Sequence, residues 1–483
     1  MSDRQKGYRQ HNCILRKGPA VEYREERRAV QLLVMNLTEA QEKTTVLQST
    51  LYRAAKDAPE RRFYALYDKL YREDVLQVAW ERVRKNKGAA GPDGVTIRSI
   101  EASGAEGFLM DIAQSISSKR YKPSAVKRVE IPKAPGKTRP LGIPTLRDRV
   151  VQAAAKIVLE PIFEGDFTDV SYGFRPGIGQ PDALAAVQRN ASSGLQWVVD
   201  ADIEGFFDNL DHERLMEALR RRISDSAMLR LIWMWLKAGV LIGGVFADTG
   251  HGTPQGGVLS PLLANIYLHQ FDEAHKQEKS FLGRLTRYAD DFVIQCRTSA
   301  EAQRALGWAK RQMEELGLTL HPDKTRIIDD ATGGYDFLGF HFRRITPSRH
   351  DARPRAVFWP SRKSCQRFRD RFKEVLASHG YLANGKDWPK LRVRINRYLR
   401  GYGQYFRRGL YYRVLHTLDW YVNERLGRYL ARSQPVGTKR RKRCWTDFVL
   451  WVRTKGRVLQ LAARQDWPKS APGAPVNIRW KAV

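Results

Sequence analysis

Along the first 340 residues, two hydrophobic rhythms alternate. Apolar residues recur every three to four positions in Leu70 to Arg84, Arg149 to Phe163, Asp211 to Arg222, Ser226 to Lys237 and Ala300 to Leu316, which predicts amphipathic helices there. Shorter alternating or β-rich runs at Val126 to Pro132, Arg139 to Ile143 and Trp197 to Ile203 predict strands. Gly88 to Gly94 is broken by glycines and a proline and reads as a loop. Beyond residue 340 only the helical rhythm remains, in Arg362 to Ala377, Leu391 to Tyr411 and Leu415 to Tyr429. Residues 1–60 are polar, charged and helical in pattern. Ser433 to Arg443 combines proline, glycine and a Lys/Arg run and reads as a linker.

Charge divides the chain at the same place. The formal net charge is +32, and residues 341–483 hold 35 Lys+Arg against 8 Asp+Glu, a net of +27. A near-neutral body joined to a basic segment is an electrostatic footprint for nucleic acid. That segment also carries 21 aromatic residues, so it is expected to bury a core of its own. Nonspecific polyanion binding is the simpler reading of the charge alone. The longest apolar run, Leu231 to Phe246, is interrupted by Lys237 and three glycines and is too short to span a bilayer. With no stretch resembling a signal peptide, a cytoplasmic location is expected, without membrane contact. The four cysteines lie far apart and form no CxxC pair, so neither a zinc knuckle nor a disulfide framework is indicated.

Two acidic segments carry the candidate chemistry. Tyr288-Ala289-Asp290-Asp291 lies between apolar runs, which suggests a hairpin with the acids at its turn. Two carboxylates in an apolar setting repel one another and lose hydration, so a counter-charge is required. An ordinary acidic turn is the alternative. The second segment, Val198 to Asp208, delivers acids at the end of an apolar strand, and period-two alternation puts Asp200 and Asp202 on one face. Acids converging from separate strands suit two divalent ions roughly 3.5–4 Å apart, as nucleotidyl transfer requires. Oxygen ligands of this kind suit Mg2+.

With these segments in view, the chain resembles a group II intron-encoded reverse transcriptase/maturase. The matching stretches, in the family's order, are Gly88 to Gly94, Ile131 to Lys133 with Arg139 to Thr145, Ser171 to Pro176, Asp202 to Asp208, Thr253 to Leu262, Tyr288 to Asp291 and Phe337 to Phe340. They cover roughly residues 60–345. The resemblance implies an α+β right-hand polymerase: an N-terminal helical extension (1–60), fingers and palm (61–345), a helical thumb/maturase region (346–432) and a small basic DNA-binding region (433–483). Many family members end in an endonuclease with paired cysteines. Those are lacking here, so none is expected.

Carried over residue by residue, the catalytic acids are Asp202, Asp290 and Asp291. They are expected to hold two Mg2+ ions with help from the backbone at Ile203, and Asp200 is the runner-up to Asp202. Lys133 and Arg139, on the arms of a hairpin, would fold over the triphosphate of a dNTP, with Lys127 assisting; a solvated charged hairpin is the alternative. Phe206 and Phe207 would meet the incoming nucleotide, Phe207 lying under its sugar, unless it is a core aromatic. Gln255 would touch nucleotide or template. Arg175 would contact the template or brace its own loop. Arg392, Arg397, Arg400 and Arg407, with Tyr402, Tyr405 and Phe406 interleaved, would bind RNA, unless they form a solvated helix face.

The partners implied are an intron RNA template, a DNA target or primer and dNTPs, met in a bacterial-type cytoplasm at the nucleoid. The implied work is RNA-directed DNA synthesis together with help in intron splicing and mobility. A splicing-only maturase and a domesticated relative in bacterial defence are the rivals.

The charge distribution yields a direct expectation. Log K for RNA falls by about 0.7 per phosphate contact for each unit of log salt on single strands. Replacing Arg392, Arg397, Arg400 and Arg407 with Gln is expected to flatten that slope by roughly two to three units, equally for unrelated RNA sequences. A folded quadruple variant with an unchanged slope in a salt titration would assign these arginines to a solvated face.

Overall fold

The computed structural model describes residues 19–134, 137–242, 245–247, 252, 256–278, 282–345, 355–378, 388–406, 412–432, 458 and 461. In chain order the helices α1 (Pro19–Asp57), α2 (Glu73–Lys85), α3 (Ile97–Ser103) and α4 (Ala105–Ser117) precede strands β1 (Val126–Ala134) and β2 (Lys137–Ile143). Then come α5 (Leu146–Glu164), α6 (Gln180–Ser192), β3 (Trp197–Asp202), α7 (Phe206–Asn209), α8 (His212–Arg220) and α9 (Ser226–Leu236). Strands β4 (Val240–Ile242) and β5 (Val245–Ala247), helix α10 (Ser260–Gln277), β6 (Arg284–Tyr288), β7 (Asp291–Cys296) and α11 (Ser299–Glu315) follow. The remainder is β8 (Arg326–Asp329), β9 (Tyr335–Phe337), β10 (Phe340–Ile345), β11 (Arg355–Pro360), α12 (Arg362–Ala377), α13 (Trp388–Tyr405) and α14 (Tyr412–Arg432). The periodic segments became the expected elements, with ends shifted by a few residues. The expected linker at Ser433 to Arg443 lies outside the described residues. No described helix is long and apolar enough to cross a membrane.

The chain folds as two compact units. The first comprises residues 1–166 and 212–263. Its centre is α5, which starts at an N-cap where the Thr145 side chain accepts from the Asp148 amide. Val150, Val151, Ala154, Ile157, Val158 and Ile162 are fully buried, and such all-round burial marks a central helix rather than a surface one. Helices α1 and α2 pack on it. Asp225 ties a third segment in: one carboxylate oxygen caps α9 at Ala227 and Met228, while the other accepts from the amides of Leu66 and Tyr67. Beside this helical layer stands a sheet of order β2-β1-β4-β5, in which β1 and β2 form the expected antiparallel hairpin.

The second unit comprises residues 167–211 and 264–483. Its main sheet has the order β6-β7-β3-β8, antiparallel throughout. One face of β3 and β7, made by Val199, Ala201, Phe292 and Ile294, is buried, with α11 packed on it. Phe271 of α10 bridges Phe292 and Trp308 at 5.1 and 5.0 Å. The other face begins with Val198 and Val293. These join a core with Ala183, Leu184 and Val187 of α6 and with Tyr335, Phe337, Phe340, Phe342 and Phe358 of the second sheet, β11-β10-β9. Two residues further along β3, this face carries acids instead.

The basic segment buries a separate core. Phe368 and Phe372 of α12, Leu391, Ile395 and Leu399 of α13, and Leu415, Leu418, Val422 and Leu426 of α14 form one cluster at helical spacing. Among the segment's aromatics, Phe368 and Phe372 lie in that core, and Trp359, Trp388, Tyr398, Tyr402, Tyr421 and Tyr429 pack against it.

Candidate active site

The strand register brings the acids together. Asp202, at the end of β3, pairs directly with Asp291 at the start of β7, and Asp291 pairs in turn with Tyr288 on β6. Directly opposed residues in an antiparallel pair project to the same face. Period-two alternation adds Asp200, which β8 pairs with Arg326. Between β6 and β7 the turn is Ala289-Asp290, and Ala289 holds a left-handed backbone, φ +59°, that a non-glycine residue rarely adopts. The hairpin expected from the apolar flanks is therefore present, with its acids at the turn.

Their electrostatics are those of a crowded anionic cluster. Burial, together with the charges of Asp200, Asp202 and Asp290, pushes the Asp291 carboxyl up to about 8. Burial pushes Asp200 up to about 6, against the opposing pull of Arg326, whose guanidinium lies 3.3 Å away. Asp202 is ion-paired with Lys324. Lys324 and Arg326 thus answer the charge of Asp202 and Asp200.

Lys324 and Arg326 were not anticipated from the sequence. The Pro-Asp-Lys-Thr-Arg run carries no local signal of a site, and only the pairing of β8 with β3 brings it there. Among the described residues no three Asp, Glu, His or Cys side chains already stand in a metal-holding arrangement, and the Asp202 oxygen is engaged by Lys324. The donor set nonetheless fits a divalent ion of the Mg2+ type. It offers hard carboxylate oxygens with surplus negative charge, and the Lys324 ammonium stands where such charge is drawn.

The other expected residues divide. Ile203 is buried in an isolated bridge to Leu320 whose bonds are made by the neighbours: His321 N–H donates to the Asp202 carbonyl, and Glu204 N–H to the Thr319 carbonyl. The Ile203 carbonyl is not used in that pair. Phe206 is a correction: it is 2% exposed and packs on Tyr267 and Phe207, so it supports the site as core rather than meeting a nucleotide. Phe207 is half-buried and keeps an accessible side.

Lys133, Arg139 and Lys127 lie on the hairpin of the first unit, where Arg139 pairs with Ile131 and Lys127 with Ile143. Alternation along β1 therefore puts Lys127 and Arg139 on one face, both exposed. Gln255 and Arg407 lie outside the described residues. Arg175 donates to the carbonyls of Thr168 and Ser171 and lies over the Phe167 ring, which is the loop-bracing alternative. Arg394, Arg397 and Arg400 are exposed and Arg392 is half-buried. The interleaved aromatics are corrected in part. Phe406 is buried and Tyr402 packs into the cores, because both continue the helical spacing of the core positions Ile395 and Leu399; Tyr405 is 49% exposed, with its ring against Phe340 and Phe406 and its hydroxyl donating to the Leu338 carbonyl.

Residues 131–342 match the family model for reverse transcriptase (RNA-dependent DNA polymerase), and residues 365–446 match the group II intron, maturase-specific domain. Group II intron-encoded protein LtrA of Lactococcus lactis subsp. cremoris is 34% identical over 351 residues, 58% of this chain and 57% of that protein. Protein YkfC of Escherichia coli is 35% identical over 336 residues, 62% of this chain and 88% of that protein. The chain belongs to the group II intron reverse transcriptase/maturase family. It is accordingly an enzyme of the RNA-directed DNA polymerase class, in a family that uses divalent metal ions and acts on intron RNA and DNA. The chain spans little more than half the length of LtrA. A chain of a solved partial Cas6-RT-Cas1–Cas2 complex is 27% identical, over 52% of this chain and 41% of its own, at a TM-score of 0.33.

The crowding has a measurable sign. The folded Asp291 carboxyl, at about 8, lies far above the roughly 3.9 of an unfolded Asp, so its contribution to stability is fully present below the lower value and lost as pH rises through the higher. In chelator, Asp291→Asn is expected to melt above the unsubstituted chain, by a margin that widens from pH 5 to about pH 8 and then levels. A margin independent of pH in thermal melts would mean that Asp291 is not held in this repulsive setting.

Proposed function

We propose that this reverse transcriptase copies intron RNA into DNA by two-metal nucleotidyl transfer at Asp202, Asp290 and Asp291. The observation that carries the proposal is the register pairing of Asp202 with Asp291, which delivers carboxylates from two strands to one face. Two Mg2+ ions held by these acids and the Ile203 carbonyl would supply the positive charge that eases deprotonation of the primer 3′-hydroxyl and neutralises the leaving pyrophosphate. The 3′-oxygen attacks the α-phosphorus of the dNTP, and the bond to the β-phosphate breaks. The protein's part is positioning and electrostatic stabilisation.

The remaining roles belong to the same proposal. Lys133 and Arg139, with Lys127, take the triphosphate, where an Arg fork matches its oxygens. Phe207 lies under the sugar and excludes a 2′-hydroxyl, and Gln255 meets nucleotide or template. Residues 61–345 serve as fingers and palm and residues 346–432 as a helical thumb, followed by a basic DNA-binding region. Arg392, Arg397, Arg400 and Arg407 grip RNA phosphates. The maturase-specific match over 365–446 favours a second task, binding the intron RNA and assisting its splicing. Such a chain works where intron RNA and target DNA meet, at the nucleoid of a bacterial-type cytoplasm.

Primer extension on an RNA template in Mg2+ tests the proposal. Asp202→Asn and Asp290→Asn are each expected to lower dNTP incorporation by more than about a hundredfold, since a lost ligand removes several kcal/mol of charge stabilisation. RNA affinity should stay close to that of the unsubstituted chain. Incorporation within tenfold of the unsubstituted chain would sink the assignment.

A further inference from the structure

The hairpin that presents Asp290 and Asp291 rests on one buried cation. Arg287 is fully buried, and so is its counter-ion Asp272 on α10. All five guanidinium N–H groups have a use. Nε donates to Asp272 Oδ1 at 2.8 Å, and one terminal nitrogen donates to Asp272 Oδ2 and to Ser171 Oγ, the latter at 2.8 Å. The other terminal nitrogen donates to Asn265 Oδ1 at 3.1 Å and to the Ala289 carbonyl at 3.0 Å. The Arg287 backbone is held as well: its N–H donates to the Val170 carbonyl, and its carbonyl accepts from Tyr172 N–H.

The last side-chain bond gives the network a direction. Ala289 sits at φ +59° in the turn between β6 and β7, and a non-glycine residue stays there only where its surroundings over-determine it. Two contacts do so. Arg287 binds the Ala289 carbonyl. At the Ala289 nitrogen, Gly173 lies so close that a Cβ on it would stand 2.5 Å away. Asn265 ties the two supports together, accepting from Arg287 and donating to the Gly173 carbonyl at 2.8 Å. Residues of the 171–173 loop and of α10 thus converge with Arg287 on one peptide.

We infer that Arg287 is a positioning residue, which with Asp272 and Asn265 fixes the Ala289 turn and so sets where Asp290 and Asp291 stand. The catalytic consequence rests on the polymerase reading; the hold on the turn does not. A buried ion pair that served packing alone would be replaceable by apolar residues of similar volume with little loss of fold. Lysine could keep the pair with Asp272 but lacks the planar fork that reaches Asp272 and the Ala289 carbonyl together.

The test uses the full chain carrying Arg287→Met with Asp272→Leu, which removes both charges at once. The folded double variant is expected to melt near the unsubstituted chain and to bind an RNA–DNA duplex with Kd within twofold. Its kcat for single-nucleotide addition should fall by about a hundredfold with KM for dNTP nearly unchanged, the scale of loss that a misplacement of about 1 Å produces. In hydrogen exchange, peptides covering residues 288–291 should lose protection while those covering 197–202 keep it. A folded double variant with kcat within threefold and unchanged exchange at the turn would reduce the network to packing. If the double variant fails to fold, Arg287→Lys takes its place, and exchange and kcat like those of the unsubstituted chain would overturn the inference. Should the unsubstituted chain add no nucleotide at all, the polymerase reading fails, and exchange at the turn alone decides the role of Arg287.

Discussion

Like charges forced together at the end of paired strands are the constraint around which the second unit is arranged. Asp202 and Asp291 face each other in register, with Asp200 and Asp290 nearby, and burial denies Asp291 the water that would screen it. Left alone, such a cluster would splay the strands. It is held by the sheet beneath it: Val199, Ala201, Phe292 and Ile294 are locked on their far side with Phe271 and Trp308 close by. On the near side, Val198 and Val293 are sealed by α6 and the aromatic second sheet. The same face changes from core to acid within two residues, so rigidity and charge are adjacent by construction. A site meant to hold cations needs both, because repelling ligands keep their positions only when the backbone cannot yield.

The protein's own cations meet part of this charge. Lys324 and Arg326 reach the acids from the segment that leads into β8 and answer part of their charge. On the proposed reading, a divalent ion drawn to Asp202 would compete with Lys324 for the carboxylate oxygen that Lys324 now holds. Arg287 acts differently: it is buried, and it fixes the Ala289–Asp290 peptide that leads into the acidic pair. The surface cations meet the charge of the cluster, and the buried one meets its geometry.

Much of this was legible in the residues. The alternation of Trp197 to Ile203 gave the strand and put Asp200 and Asp202 on one face, and the apolar flanks of Asp290-Asp291 gave the hairpin, because both signals are local. The helix at Arg362–Ala377 was legible to the residue for the same reason. What escaped was long-range. Lys324 lies 122 residues from Asp202 in the chain, and only strand pairing joins them. Phe206 and Phe207 are adjacent and chemically identical, so nothing in the sequence says that one packs on Tyr267 while the other keeps an open side. Phe406, next to an Arg pair, looks like a base-stacking aromatic until the cores claim it. Likewise, Arg287 in the run before the acids is indistinguishable from a solvated arginine until Asp272 is found beside it.

Mn2+ binding measures, without reference to turnover, whether Asp202, Asp290 and Asp291 act together as one cation-binding face. In electron paramagnetic resonance titrations of the full chain with template–primer and dNTP, a tight class of Mn2+ sites is predicted. That class should be lost in Asp202→Asn and in Asp290→Asn, with duplex affinity retained. Equal tight Mn2+ binding by the unsubstituted chain and both variants would contradict the account, leaving the carboxylates as a structural cluster with no ion to hold.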